Sequence, residues 1–506
     1  MNALLVSIAL LSAAAGTTPE SGGDFAKKIT EFTLPNGLHW VVLERHETPL
    51  VSFHVYVRAG AVDLPGGQAG LARLTETEAW EGSGATSAAD SAAEKKAAAA
   101  LEEAYDRLEA EGNKGPKAND GALTVLGMEY RMALERAQSY ARPREFETRL
   151  LSEGATGLKA SAGRDSIEYS CTLPSNRVEL WFSMESQRLS HPVFRTFYTE
   201  RDRLADEVRS PAKGHEESRL MEDLAAAAFT AHPYRNPLNG WPGDVEHLRV
   251  ADANAFAAKF FVPGNITIAL AGDVNPAEAR RLAEKYFGAM PARPLPAPVH
   301  TEEPLQTGPR TVIASTATMP MVAFGYKRPD QLDRDDAVFE LIETMLAAGE
   351  DSWLATEMSR EKNLILSARV DASFPGGRYP HLFAVALAPA PGHTVDEVEA
   401  AWGAIVARLQ SKPVDDAALA RAKAQARATI LQRLEENTGA AEILASQSAN
   451  YGDWRQVFRE LDQIAGATSL DVQRVAVKYF VPARRTMVYS GLTGPGTPVP
   501  EPGTQK

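Results

Sequence analysis

Ala257-Ala258-Lys259-Phe260-Phe261-Val262-Pro263 returns 219 positions later as Ala476-Val477-Lys478-Tyr479-Phe480-Val481-Pro482. Each copy runs into an apolar stretch, Ile266 to Ala271 and Thr486 to Ser490, that reads as a buried strand. A second pair, Pro49-Leu50-Val51-Ser52-Phe53 and Pro320-Met321-Val322-Ala323-Phe324, is offset by 271. Self-similarity of this kind implies two copies of one folding unit. The offsets differ by 52, so the first copy carries about 52 additional residues between these landmarks.

The surplus falls on residues 88–111 and 123–141, rich in the helix formers Ala, Glu, Lys and Leu and separated by the breaker GNKGPKANDG. They read as a helical hairpin inserted into the first unit, a structural spur or interaction surface. Between the units, Pro291, Pro294, Pro296, Pro298, Pro304 and Pro309 exclude helix and central strand and give a semi-rigid linker. The expected organisation is a signal peptide at 1–15, a first unit at 26–290 with its insertion within 85–150, and a linker at 291–310. A second unit at 311–493 and a Pro/Gly-rich tail at 494–506 complete it. Strands followed by long amphipathic helices predict an α+β fold, two similar units of antiparallel sheet packed by helices, forming a bilobed shell.

A chain of 506 residues with 44% hydrophobic and 24% charged residues is an ordinary globular protein too long for one core. Its formal charge of −13, with no basic stripe, argues against nucleic acid as a partner. The run Ala3 to Ala15 is followed by Gly16-Thr17-Thr18-Pro19 and reads as a secretory signal, being too short to span a bilayer. A periplasmic or secreted location without an integral membrane span follows. Cys171 is the only cysteine, and it reads as a core residue of a strand from Ile167 to Leu173.

Residues 59–84, AGAVDLPGGQAGLARLTETEAWEGSG, resemble the insulinase-like (pitrilysin, M16) zinc metallopeptidases. That family carries His-x-x-Glu-His on a helix, followed by a Gly-Thr or Gly-Ser turn. Two imidazoles four apart share a helix face and grip one zinc, while the glutamate between them reaches the metal-bound water as general base. Here the first histidine position is Arg73, the glutamate is Glu76 and the second histidine position is Thr77.

Other segments carry the same resemblance. Phe197 to Glu207 is similar to the family's Glu-Arg…Glu helix, which aligns Glu207 with the third zinc ligand and Glu200 with the carboxylate behind it. Gly157-Leu158-Lys159-Ala160-Ser161 resembles the strand along which substrate pairs, implying a peptide-binding role for Lys159, Ala160 and Ser161. His232-Pro233-Tyr234 with Gly240-Trp241-Pro242 resembles the family's pattern, while the helical insertion and the run Leu173 to Leu189 most resemble its exported bacterial two-domain members. Active members also hold substrate with an Arg and a Tyr from the second half; Arg378 and Tyr379 lie near that region and receive no role from sequence.

None of the ten histidines begins His-x-x-Glu-His or His-Glu-x-x-His, and His215-Glu216-Glu217 has no second histidine at helical spacing. Arginine is a cation and a threonine hydroxyl a poor zinc ligand, so no metal, no zinc cofactor and no catalytic residue is expected at Arg73, Glu76, Thr77, Glu200 or Glu207. The resemblance then implies a non-catalytic homologue, the partner of a motif-complete M16 chain, helping to bind and enclose unfolded peptides. A stand-alone peptide-binding or chaperone-like module that captures strands is the alternative. An active zinc endopeptidase is disfavoured.

Overall fold

Strands that read as unbroken apolar runs need cover on both faces, and the structure supplies it in a reciprocal way. The computed structural model describes residues 22–78, 91–140, 144–210, 216–314 and 320–490. The leader, the turn at 82–84, His215 and the tail lie outside these residues.

The first half runs α1 (Gly22–Lys27), β1 (Ile29–Thr33), β2 (His39–Glu44), β3 (Leu50–Val57), α2 (Leu71–Glu78), α3 (Ser91–Gly112), α4 (Asp120–Gln138) and α5 (Glu145–Ser152). It continues with β4 (Thr156–Ala162), β5 (Ile167–Pro174), α6 (Val178–Ser190), α7 (Phe197–Arg209) and α8 (Glu216–Ala228). It closes with α9 (Pro242–His247), α10 (Val250–Phe260), β6 (Ile266–Gly272) and α11 (Pro276–Phe287). The second half runs β7 (Arg310–Ala314), β8 (Val322–Arg328), α12 (Asp336–Ala347), β9 (Ile365–Phe374), β10 (His381–Pro389) and α13 (Val395–Ser411). It ends with α14 (Asp416–Glu435), α15 (Asn437–Tyr451), α16 (Gln456–Gly466), α17 (Ser469–Tyr479) and β11 (Arg485–Ser490).

Two sheets result, ordered β1-β2-β6-β3-β5-β4 and β7-β11-β8-β10-β9. Apart from β1 they match strand for strand: β2 with β6 and β7 with β11 are the parallel pairs, and the remaining pairs are antiparallel. The echoed sequences occupy equivalent places, each closing a helix (α10, α17) and leading through a short turn into the inner strand (β6, β11). The fold is therefore α+β, two similar sheets packed by helices.

One face of each sheet packs on helices of its own half. The other face is covered from the far half. Helix α15 lays Ala440, Ala441, Leu444 and Ala445 on Val41, Leu43, Ala269 and Ala271 of the first sheet. Helix α8 lays Leu220, Leu224 and Ala228 on Ala323, Leu382, Ala384 and Val488 of the second. A Cβ at Gly325 would stand 3.3 Å from a Leu224 methyl, so β8 makes room for that leucine. Residues 291–309 carry no helix or strand. Glu303 pins this connection, accepting the backbone N–H groups of Thr230, Ala231 and His232 at 2.9 to 3.1 Å. Burial opposes its ionisation, but those three donors and Lys327 outweigh it and hold the carboxyl at about 2.

Helices α3 and α4 have no counterpart in the second half, yet they are more than a spur. Leu101, Ala104, Tyr105 and Tyr130 are buried in the first core. Arg201 of α7 lies between the rings of Tyr105 and Tyr198, 4.9 and 4.7 Å from their centroids, and Tyr198 Oη donates to Glu102 at 2.7 Å. Removing the hairpin would strip α7 of this cover, so the duplication alone is a poor guide to what can be deleted. Cys171 sits in β5, 5% exposed, and burial pushes its thiol well above the usual range, which leaves it without nucleophilic character.

Candidate functional site

Helix α2 owes its position to two close backbone approaches. A Cβ at Gly240 would stand 2.3 Å from the Ala69 carbonyl, and one at Gly70 would stand 2.9 Å from that of Asn239. Both glycines have φ near +90°, a region other residues avoid, so the loop after His232-Pro233-Tyr234 can lie directly against the start of the helix. At the other end Glu78, fully buried, accepts from the Thr196 amide at 3.2 Å and its hydroxyl at 2.6 Å, just ahead of α7. Helices α2 and α7 are thereby tied end to start.

On α2, Arg73 donates to Glu76 one turn on, an ion pair between a guanidinium 38% exposed and a carboxylate 4% exposed. Burial raises the Glu76 carboxyl above its ordinary value, and Arg73 partly offsets it. Thr77 turns its hydroxyl back to the Arg73 carbonyl at 3.1 Å. On α7, Arg203 donates to Glu200 at 2.8 Å and to Glu207 at 3.4 Å, and Asn239 reaches Glu207 at 3.4 Å. Glu207 is half exposed. Arg73, Glu76 and Thr77 thus form one group and Glu200 and Glu207 another, and among the described residues no hydrogen bond or ion pair joins the two.

This donor set does not fit zinc. Arginine has no lone pair to offer, the threonine oxygen is engaged with its own helix, and Glu76 already neutralises a cation. Among the described residues no group of three or more His, Cys, Asp or Glu side chains is placed to hold a metal ion.

Arg73→Ala would leave Glu76 buried without its counter-charge. Since Arg73 is partly solvated and Glu76 can take up a proton, the expected loss is about 1–2 kcal/mol, between the values for exposed and buried pairs. The loss should be larger at pH 8 than at pH 5, because a protonated Glu76 needs no cation. Urea midpoints at the two pH values check both statements.

Lys159, Ala160 and Ser161 lie on β4, the outermost strand of the first sheet. They face Ser170, Tyr169 and Glu168 of β5, and the far edge of β4 has no strand beside it among the described residues. Helix α2 packs against this strand, so the degenerate motif and the free edge share one neighbourhood.

The cluster that closes this region centres on Asp165, which no motif in the sequence singles out. Asp165, in the β4–β5 turn, accepts Tyr234 Oη at 2.7 and 2.9 Å and the amides of Gly377 and Arg378 at 2.8 and 3.0 Å. A Cβ at Gly376 would stand 2.4 Å from an Asp165 oxygen, so the second half must present glycine there. The Arg378 guanidinium, 7% exposed, reaches Asp63 at 2.5 Å and the carbonyls of Arg58 and Asp165 at 3.3 Å. Tyr379 Oη accepts the Val299 amide at 2.9 Å. Arg378 thus joins the two halves, and Tyr379 fixes the segment that connects them.

His232 packs between Tyr234 and Tyr379, 97% of its surface covered, and burial lowers its imidazole to about 4. Folding thus favours the neutral ring, and the stability it confers is present above the unfolded value near 6.5 and lost as pH falls from there toward 4. Up to about 3 kcal/mol is at stake. Replacing His232 with Asn should weaken the fold at pH 8, and the gap to the wild type should narrow below pH 6.5. Thermal melts of both across that range test it.

Two packed sheets, helices α2 and α7 tied end to start, and an Arg73–Glu76 ion pair on α2 are what the structure brings together here. Residues 247–426 match the family described as the peptidase M16 inactive domain. That match covers about a third of the chain, and the solved structures below share the two-sheet fold over nearly all of it. The zinc protease PqqE of Helicobacter pylori is 26% identical over 306 residues, 58% of this chain and 66% of that protein. An uncharacterised zinc protease of Mycobacterium leprae is 23% identical over 282 residues, 55% of this chain and 62% of its own length. The chain thus spans just under two thirds of these curated relatives. A Helicobacter pylori protease superposes with a TM-score of 0.76 at 19% identity, covering 92% of this chain and 99% of the other. A Pseudomonas fluorescens peptidase M16 inactive domain gives 0.72 at 16% identity, covering 93% and 99%. The Escherichia coli periplasmic protease PqqL gives 0.65 at 13%, covering 92% of this chain and 47% of that one. Among the described residues no helix is long and apolar enough to cross a membrane.

Proposed function

We propose that this chain is a non-catalytic M16 homologue that serves as the partner subunit of a motif-complete M16 peptidase outside the cytoplasm. Its part is to present the β4 edge, Lys159 to Ser161, to extended peptides while the partner supplies zinc and its water. The observation that supports this reading is the Arg73–Glu76 ion pair, since the sequence resemblance aligns Arg73 with a ligand position and Glu76 with the base of active relatives. The free β4 edge beside α2 supports the binding role, since an unpaired strand offers a peptide its backbone donors and acceptors. The leader-like Ala3 to Ala15 and the structural likeness to a periplasmic protease support the location.

Mixing the purified chain with a motif-complete M16 relative should raise that relative's hydrolysis of unfolded peptides, with this chain inert alone. Equal rates with and without it would sink the partnership. Peptide binding by the isolated chain, lost when Ala160 is replaced by proline, would then favour the alternative of an independent peptide-capturing module.

A further inference from the structure

Helices α13 and α14 meet at Lys412 to Asp415, and a cleft of about 290 Å³ opens between this corner and the helical turn Leu354–Arg360. That turn is wound wider than an α-helix, with the Glu361 amide donating to the Thr356 carbonyl five residues back at 2.9 Å. Windings of this kind are rare and recur at functional sites. Here Trp353, just before the turn, and Glu357, on it, both meet Arg408 of α13. The guanidinium lies over the Trp353 ring, 4.2 Å from its centroid, and makes a two-pronged ion pair with Glu357 at 2.7 and 3.0 Å. Arg408 is thereby held as a fixed wall of the cleft, its charge already matched.

The rest of the lining divides by character. Trp353, Pro413 and Val414 supply apolar surface, while Lys412 and Arg421 are exposed cations with no ion-pair partner among the described residues. Both carboxylates of the lining are engaged: Glu357 with Arg408, and Asp415 with the Ala418 amide at 3.1 Å, as the N-cap of α14. In a chain of formal charge −13, a cleft with two unmatched cations and no free carboxylate is not a product of average composition. The cations specify an anion, and the apolar surface specifies what that anion is attached to. We propose that this cleft binds a ligand with an apolar body and a single carboxylate, the chemistry shared by the free end of a peptide chain and a small apolar acid. The carboxylate lies between Lys412 and Arg421, whose guanidinium fork suits it, and the apolar part lies on Trp353 and Val414. The cleft is built wholly from the second half, so it stands or falls without the proposed function.

Calorimetric titration of the whole chain with acetyl-Ala-Ala-Leu, as the free acid and as the amide, tests it, with hexanoate as the small apolar acid. The free acid should bind with a Kd of roughly 1 mM or below, and the amide at least about tenfold more weakly. Lys412→Glu with Arg421→Glu should weaken the acid by a similar factor, and an unchanged thermal midpoint establishes that this variant is folded. Trp353→Phe should keep the binding and lose the accompanying change in fluorescence, which places the ligand at this ring. Hexanoate that matches the peptide acid assigns the cleft to free apolar acids; hexanoate that fails where the peptide acid binds assigns it to chain ends. Absence of binding by both acids at about 10 mM overturns the proposal. So does an amide that binds as well as the acid, or binding indifferent to the double charge change. Inorganic phosphate that competes as well as hexanoate would show that charge alone is read, and would overturn it too.

Discussion

Leu444→Asp is expected to unfold the first sheet even though residue 444 lies in the second half. Leu444 has no exposed surface and sits among Val41, Leu43, Ala269 and Ala271, so the carboxylate would enter an apolar layer with no donor to meet it. The cost of about 4 kcal/mol or more is comparable with the whole stability of many domains. Leu444→Ala, which removes volume without adding charge, should cost about 2–5 kcal/mol. Reporters for both halves are built in: Trp40 and Trp181 stack against Phe182 and Phe53 in the first core, and Trp402 lies in the second. Denaturant curves read from single-tryptophan variants should coincide and shift together. A first-half signal that keeps its midpoint while α15 detaches would refute the shared cover.

The second large effect belongs to Arg378. Its removal leaves Asp63, 6% exposed, without its cation and the carbonyls of Arg58 and Asp165 without its guanidinium. Burial already raises the Asp63 carboxyl despite Arg378, so loss of the guanidinium should cost about 3–5 kcal/mol as for other broken buried pairs. Lysine should not rescue it, because a single ammonium cannot serve Asp63 and two carbonyls in one plane. Arg378→Met with Asp63→Leu should recover much of the loss. A change below about 1 kcal/mol for Arg378→Ala would show that the halves are held by the exchanged helices alone.

Much of the architecture was legible in the residues. The repeat AAKFFVP/AVKYFVP marks the junction from a helix into the inner strand of each sheet, and its offset exposed the additional hairpin. Periodicity could not say which sheet a helix covers, since α8 and α15 carry apolar faces like any other, and cover from the opposite half is a three-dimensional choice. At the site, Arg73 and Glu76 one turn apart made an ion pair readable from spacing, whereas Glu207 turns to Arg203 and Asn239, its neighbours on α7 and in the loop. Asp165 had no local signature at all: its three donors, Tyr234 Oη and the amides of Gly377 and Arg378, come from two distant stretches of chain. Only the folded backbone brings Tyr234 and the glycine turn at 376–377 onto it.

The exchange of helices also sets a timetable. The last strand of the first sheet ends at Gly272, while α15 begins at Asn437, about 165 residues later. At a synthesis rate of roughly 5–20 residues per second, the apolar face of that sheet waits on the order of 10–30 s for the helix that shields it. Neither half can finish before the chain is almost complete, so native structure is reached in one late step governed by contacts distant in sequence. During that interval Val41, Leu43, Ala269 and Ala271 form a sticky surface for holding chaperones, and the yield of this protein should depend more on how that surface is shielded than on the final stability of the fold.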